Sequence, residues 1–163
     1  MPSSVTVPGV LVRVRTVGLL LTGPSGSGKS ETALDLMDRG HTLVADDAVT
    51  VTATPDGLRG QAPAELRGRL EVRGLGIQES RLLAGHDAVA PEAPVDLEVA
   101  LDVDPDWAAW PRLEPALGTT TLAGQPLPRL TLPVAPGRRL ALLLETVARL
   151  TAAGVLTRGA THE

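Results

Sequence analysis

The chain contains no cysteine, no phenylalanine and no tyrosine, and its only aromatic residues are Trp107 and Trp110. Without cysteine it can form neither a disulfide nor a thiolate metal site, although this alone does not fix the compartment. Without large aromatic rings the core has to be built from leucine, valine, alanine and isoleucine, a composition that carries no functional information. Clustered positive charge is also missing: the net charge is -4 and the longest basic run is Arg138-Arg139, so nucleic acid is not expected as a partner. The three histidines, His41, His86 and His162, lack metal-ligand spacing and are expected on the surface or in loops. Apolar runs such as Leu140 to Leu144 are far too short to span a bilayer, and Met1 to Arg15 lacks the layout of a signal peptide. A cytoplasmic protein with no membrane association is expected. With 163 residues, 43% of them hydrophobic and 21% charged, the whole chain 1–163 reads as one soluble domain able to bury a sizeable core.

Lysine is nearly absent too. Fourteen arginines accompany a single lysine, Lys29, and that lysine sits in Gly23-Pro24-Ser25-Gly26-Ser27-Gly28-Lys29-Ser30. This stretch matches the phosphate-binding loop pattern GxxxxGKS/T. An ammonium on a flexible stem can reach back over a tight loop to β- and γ-phosphate oxygens, whereas a planar guanidinium demands a forked partner. The glycines let successive N–H groups point at an anion, and Ser30 offers a hydroxyl to Mg²⁺. A plain Gly/Ser turn is the rival reading, and the flanks argue against it. Val17 to Thr22 reads as a buried strand entering the loop. Ser30 to Arg39 reads as a helix with Ala33, Leu34, Leu36 and Met37 inside and Gly40 as its stop.

Elsewhere, Val10 to Val14 alternates apolar and basic residues as a half-exposed strand would, Thr42 to Ala45 reads as a strand, and Val49 to Thr54 reads as another that ends at the turn Pro55-Asp56-Gly57. Leu58 to Arg69 looks irregular, with Pro63 opening a short helical turn. Leu70 to Arg73 is strand-like and runs into Gly74-Leu75-Gly76. Pro91 to Pro94 reads as a loop, Val95 to Val103 as a strand, and Asp104 to Pro128 as a proline-rich connection. Leu130 to Leu132 leads to the turn at Pro136-Gly137 and to a leucine-rich helix, Arg139 to Leu150. The tail after Gly154 is expected to fray.

Asp46-Asp47 ends the strand that follows the P-loop helix. If that strand is the parallel neighbour of the one entering the loop, the two strand ends share one sheet edge and a carboxylate falls beside the γ-phosphate. Such an acid can hold Mg²⁺ or accept a proton from an attacking hydroxyl; the rival is a plain Asp-Asp turn.

With these residues in view, the chain resembles the catalytic domain of the bifunctional HPr kinase/phosphorylase family, in a short single-domain form. The matching stretches are the P-loop through Leu34, Arg39-Gly40-His41, Leu43 to Asp47, the segment Leu70-Glu71-Val72-Arg73-Gly74-Leu75-Gly76-Ile77, and Pro133 to Arg138. They cover the chain from about Gly9 to Leu150. The resemblance implies an α/β fold: a single P-loop-containing domain, a mixed β-sheet with flanking helices. It implies ATP and Mg²⁺ as cofactors, Lys29 on the phosphates, and Ser30 and Glu71 on the metal. It further implies Asp47 as acceptor of a serine proton from an HPr-like phosphocarrier, and the reverse reaction with inorganic phosphate yielding pyrophosphate. Arg112, twenty-one residues before Pro133, matches the family's catalytic arginine, and Arg138 lies in the turn associated with dephosphorylation. A hexamer is implied as well. Three positions depart from the pattern: Pro8 stands where a histidine is usual, fifteen residues before Gly23, Ala135 stands where an arginine is common, and Arg139 stands where an asparagine is common. Pro8 and Ala135 weigh on full activity, and on the phosphorolysis direction most. Two other readings stay open, a nucleotide-binding regulatory module and a kinase of the same fold with another acceptor.

Overall fold

The computed structural model describes residues 3–156, so His162 and the chain beyond Leu156 lie outside the described residues. The elements run β1 (Ser4–Pro8), β2 (Val10–Val14), β3 (Val17–Thr22), α1 (Lys29–Asp38), β4 (Thr42–Ala45), β5 (Ala48–Thr54), β6 (Gly57–Gln61), β7 (Arg69–Val72) and β8 (Gly76–Glu79). They continue with α2 (Ser80–Ala84), β9 (Ala93–Pro94), β10 (Leu97–Asp102), β11 (Ala116–Leu122), β12 (Gln125–Pro133) and α3 (Leu140–Ala152).

A six-stranded sheet has the order β11-β12-β10-β3-β2-β4, with β3, β10 and β12 parallel to one another. A four-stranded antiparallel sheet, β1-β5-β6-β9, covers one of its faces, while α1 and α3 cover the other. The alternation of side chains along β3 divides the core accordingly. Leu19 and Leu21 pack with Leu36 and Met37 of α1 and Leu144 of α3, whereas Leu20 packs with Val49, Val51 and Leu58 of the second sheet. The helices therefore flank one face only. The core is leucine, valine and alanine with Met37; the single isoleucine, Ile77, is exposed on the β7–β8 hairpin.

Several expectations need correction. β4 is not the neighbour of β3: it pairs antiparallel with β2, which lies between them. Because β2 is antiparallel to both, β3 and β4 still run the same way and still end on one edge. Sandwiched between them, β2 is buried rather than half exposed. Part of the irregular stretch after Pro55 is β6, the return strand of a hairpin with β5. The proline-rich connection contains β11 and the first four residues of β12. Pro126 and Pro128 fall where β12 has run past β10 and pairs with β11 alone, so their missing N–H groups break no ladder on the other side.

Two features fix the position of the loop. Gly18 on β3 lies against the chain at Pro94, where an added Cβ would stand 1.5 Å from the carbonyl oxygen, so no other residue fits. At the far end of α1, Arg39 and His41 both bond Glu145 of α3: Arg39 Nε donates to Oε1 at 2.9 Å, and His41 Nε2 lies 2.7 Å from Oε2. His41, in the loop between α1 and β4, is thus buried and paired. The Arg39 hydrogen bond, then that of His41, hold the Glu145 carboxyl down at about 2 against the opposing effect of burial. A depressed carboxyl contributes stability above its unfolded value of 4.5 and loses it as pH falls toward about 2. Glu145→Gln is expected to lower stability at pH 7 by about 1 kcal/mol, roughly 3 °C in Tm, the scale of a largely solvent-screened pair. The difference from the parent chain should shrink as pH drops through that window, which denaturant titrations at pH 7 and pH 3 would measure.

Candidate functional site

A cavity of about 680 Å³ opens at the edge where β3 and β4 end. Its floor is the loop between β3 and α1. Gly26 and Gly28 sit at φ 83° and 88°, with nothing within 4 Å of where a Cβ would project. That backbone leaves room over the loop for a tetrahedral anion, ahead of the amino end of α1. Lys29 is the first residue of α1. Its Nζ folds back over the loop and donates to Gly23 O at 2.8 Å, Pro24 O at 3.0 Å and Ser27 Oγ at 3.2 Å.

The acid pair divides into two roles of position. Asp46 is buried, its Oδ1 accepting from Ser30 Oγ at 2.8 Å and its Oδ2 from the Glu71 N–H at 3.0 Å. It therefore ties the first turn of α1 to β7 and sits where P-loop proteins carry the acid that shares Mg²⁺ with the loop hydroxyl. Asp47 is exposed and faces the cavity. The Asp46 carbonyl accepts from the Ala48 N–H at 2.9 Å, closing a three-residue turn around Asp47 at φ 72°. This is the γ-turn of positive φ, rare and strained for a residue with a side chain. The turn is braced from outside by the Gly9 N–H, which donates to Asp47 O at 3.1 Å. Pro8, just before Gly9, lines the same cavity, so the departure from the histidine pattern falls within the site.

Glu71, exposed on β7, and Arg73 complete the mouth, and Glu98 of β10 lies on its inner wall. Five carboxylates (Glu31, Asp46, Asp47, Glu71, Glu98) thus face two cations, Lys29 and Arg73. A nucleotide triphosphate would be repelled by such a wall unless a divalent cation came with it. Oxygen donors at Ser30, Asp46 and Glu71 fit Mg²⁺, a hard cation that takes one or two carboxylates and keeps several waters.

Lys29, Ser30, Asp46, Asp47 and Glu71 are therefore brought together, but Arg112 and Arg138 are not. Both line a second cavity of about 420 Å³ with Trp107 and Trp110, and the Arg138 guanidinium lies 5.6 Å over the Trp107 ring. Thr22 and Glu98 are lining residues that sequence reading passed over. An acid inside the apolar run Leu97 to Leu101 was the available signal, since a carboxylate buried in a central strand needs a partner.

Residues 1–161 match the family model described as the HPr serine kinase C-terminal domain. The chain belongs to this family. Relatives named HPr kinase/phosphorylase include one from Xylella fastidiosa (strain M12), 43% identical over 149 residues, which make up 89% of this chain and 47% of that protein. Another, from Geobacillus thermodenitrificans, is 46% identical over 144 residues, 87% of this chain and 46% of the relative. The chain thus spans about half the length of the curated relatives it matches. Among solved structures, the HPr(Ser) kinase/phosphatase from Coxiella burnetii superposes with a TM-score of 0.82 at 31% identity, covering 92% of this chain and 97% of that one. The mixed α/β architecture is thus that of a family structure. Among the described residues, no helix is long and apolar enough to cross a membrane.

Proposed function

We propose that this chain is the catalytic domain of an ATP- and Mg²⁺-dependent serine kinase whose acceptor is HPr or an HPr-like phosphocarrier, with phosphorolysis of the phosphoserine as the reverse reaction. The observation that carries the reading is the Lys29-capped loop whose Ser30 is bonded to Asp46, facing an acid-lined cavity. Ser30, Asp46 and Glu71 would hold the metal, which would supply positive charge to offset the charge of the transferring group. Lys29 binds the β- and γ-phosphates. Asp47, exposed at the mouth on a strained turn, accepts the serine proton as the oxygen attacks. In reverse it returns that proton to the serine oxygen while inorganic phosphate attacks and pyrophosphate leaves. Pro8, lining the same cavity as Asp47, has no side-chain donor or acceptor, so the reverse direction is expected to be the slower one. Arg112 enters this reading only through assembly with another copy or docking of the acceptor, since within one chain it lines the other cavity.

The test is transfer itself. Purified chain, labelled ATP, Mg²⁺ and a panel of acceptors including HPr should place label on an HPr serine. No transfer to any acceptor, with nucleotide binding intact, would favour the regulatory module instead; transfer only to another acceptor would favour a kinase of different target. Glu71→Gln is expected to raise the Mg²⁺ needed for half-maximal activity several-fold, while nucleotide affinity without metal stays unchanged, because charge is removed and shape kept. An unaltered Mg²⁺ titration would make Glu71 a solvated strand charge.

A further inference from the structure

β10 lies beside β3 in parallel register, with Glu98 opposite Leu20 and, on its other side, opposite Arg129 of β12. These three side chains share the sheet face turned away from α1. Glu98 is only 8% exposed, and both of its hydrogen bonds fall on Oε2: Thr22 Oγ1 donates at 2.6 Å and Arg129 Nε at 3.1 Å. Thr22 is the last residue of β3 and immediately precedes Gly23, the first glycine of the loop. Gly23 is itself held against the next residues of β10, where an added Cβ would lie 3.1 Å from Leu101 O. The root of the loop is therefore fastened to β10 twice, by close packing at Gly23 and by a charge-assisted hydrogen bond at Thr22.

This fastening carries an electrostatic cost. A buried carboxylate lines the cavity that is read here as the triphosphate site, and there an uncompensated negative charge would oppose binding. Arg129 removes the conflict: its Nε donates to the oxygen that Thr22 uses, while its side chain stays about half exposed.

We propose that Glu98 is a positioning residue that locks the root of the phosphate loop through Thr22, and that Arg129 is its counter-charge, shielding the bound polyphosphate from that carboxylate. The inference rests on the nucleotide-binding reading of the loop. It gives a buried acid and its half-exposed arginine partner a task that the transfer chemistry does not use.

The experiment is titration of the full chain with ATP and with ADP, in the presence of Mg²⁺, at about 50 mM and about 300 mM salt. Arg129→Gln should weaken ATP binding about 10-fold at low salt, weaken ADP less, and lose much of the difference at high salt. Adding Glu98→Gln to that variant removes the orphaned charge and keeps an acceptor for Thr22, so affinity should return to within about 2-fold of the parent. Thr22→Val, of matching shape but without the hydroxyl, should weaken both nucleotides about equally, with no change in salt dependence. A purely structural pair would move thermal stability but not the ATP-to-ADP ratio or its salt dependence. Parent-like binding by Thr22→Val, or failure of Glu98→Gln to rescue Arg129→Gln, would overturn the proposal. If the parent chain itself binds neither nucleotide, the loop reading falls first and this inference with it.

Discussion

Asp47→Asn is expected to lower phosphoryl transfer by about 10² or more while leaving ATP affinity within about 2-fold, because the amide keeps the size of the side chain but cannot take a proton. The turn that holds it should survive, since asparagine tolerates positive φ at least as well as aspartate does. Asp46→Asn should behave differently. It touches a carboxylate that is bonded to Ser30 Oγ and to the Glu71 N–H, so its main effects should be a higher Mg²⁺ requirement and a less stable fold. Single-turnover assays at saturating Mg²⁺ separate the two. If transfer is lost in Asp46→Asn and kept in Asp47→Asn, the proton goes to the buried acid and the assignment of Asp47 is wrong.

Lys29→Ala should weaken nucleotide binding or turnover by 10-fold or more, the loss expected for a charge-assisted contact to phosphate. Lys29→Arg should not restore it. The ammonium caps Gly23 O, Pro24 O and Ser27 Oγ from within a tight loop, a position that a flat, forked guanidinium cannot take up without displacing one of them. Calorimetry giving parent-like affinity and turnover for both variants would remove Lys29 from the phosphate site.

What could be read from the chain beforehand follows from the range of each signal. The P-loop, its entering strand and its helix were legible because loop chemistry and hydrophobic spacing are local. The order of strands was not. Nothing near Thr42 to Ala45 says that β2 lies between β4 and β3, since that pairing is decided by which strands cover one another's apolar faces. β6 was missed because Gly57 and Gly60 read as loop residues; Gly60 is in fact a strand glycine whose Cβ would collide with Leu11 at 2.5 Å. β12 was hidden by Pro126 and Pro128, which a strand tolerates only with one side unpaired. At the site, local patterns brought out Lys29, Ser30 and the acid pair, while Glu71 came from the family resemblance; those patterns could not separate Asp46 from Asp47, a distinction made by one backbone turn. Glu98 needed the register of three strands to be found. Arg112, suggested by resemblance alone, lies in another cavity.

The turn around Asp47 has a consequence for descent as well as for chemistry. A residue with a side chain at φ 72° is held there against its own conformational preference, and glycine would relieve the strain. Selection acting on folding alone would therefore push this position toward glycine, and under the proposed role of Asp47 it is the demand for the carboxylate that resists that drift. In lineages where catalysis is no longer needed, position 47 should be among the first in the pocket to change, and the change would leave a sturdier protein than its working ancestor. A glycine there in a related chain would mark a former enzyme whose fold outlived its activity.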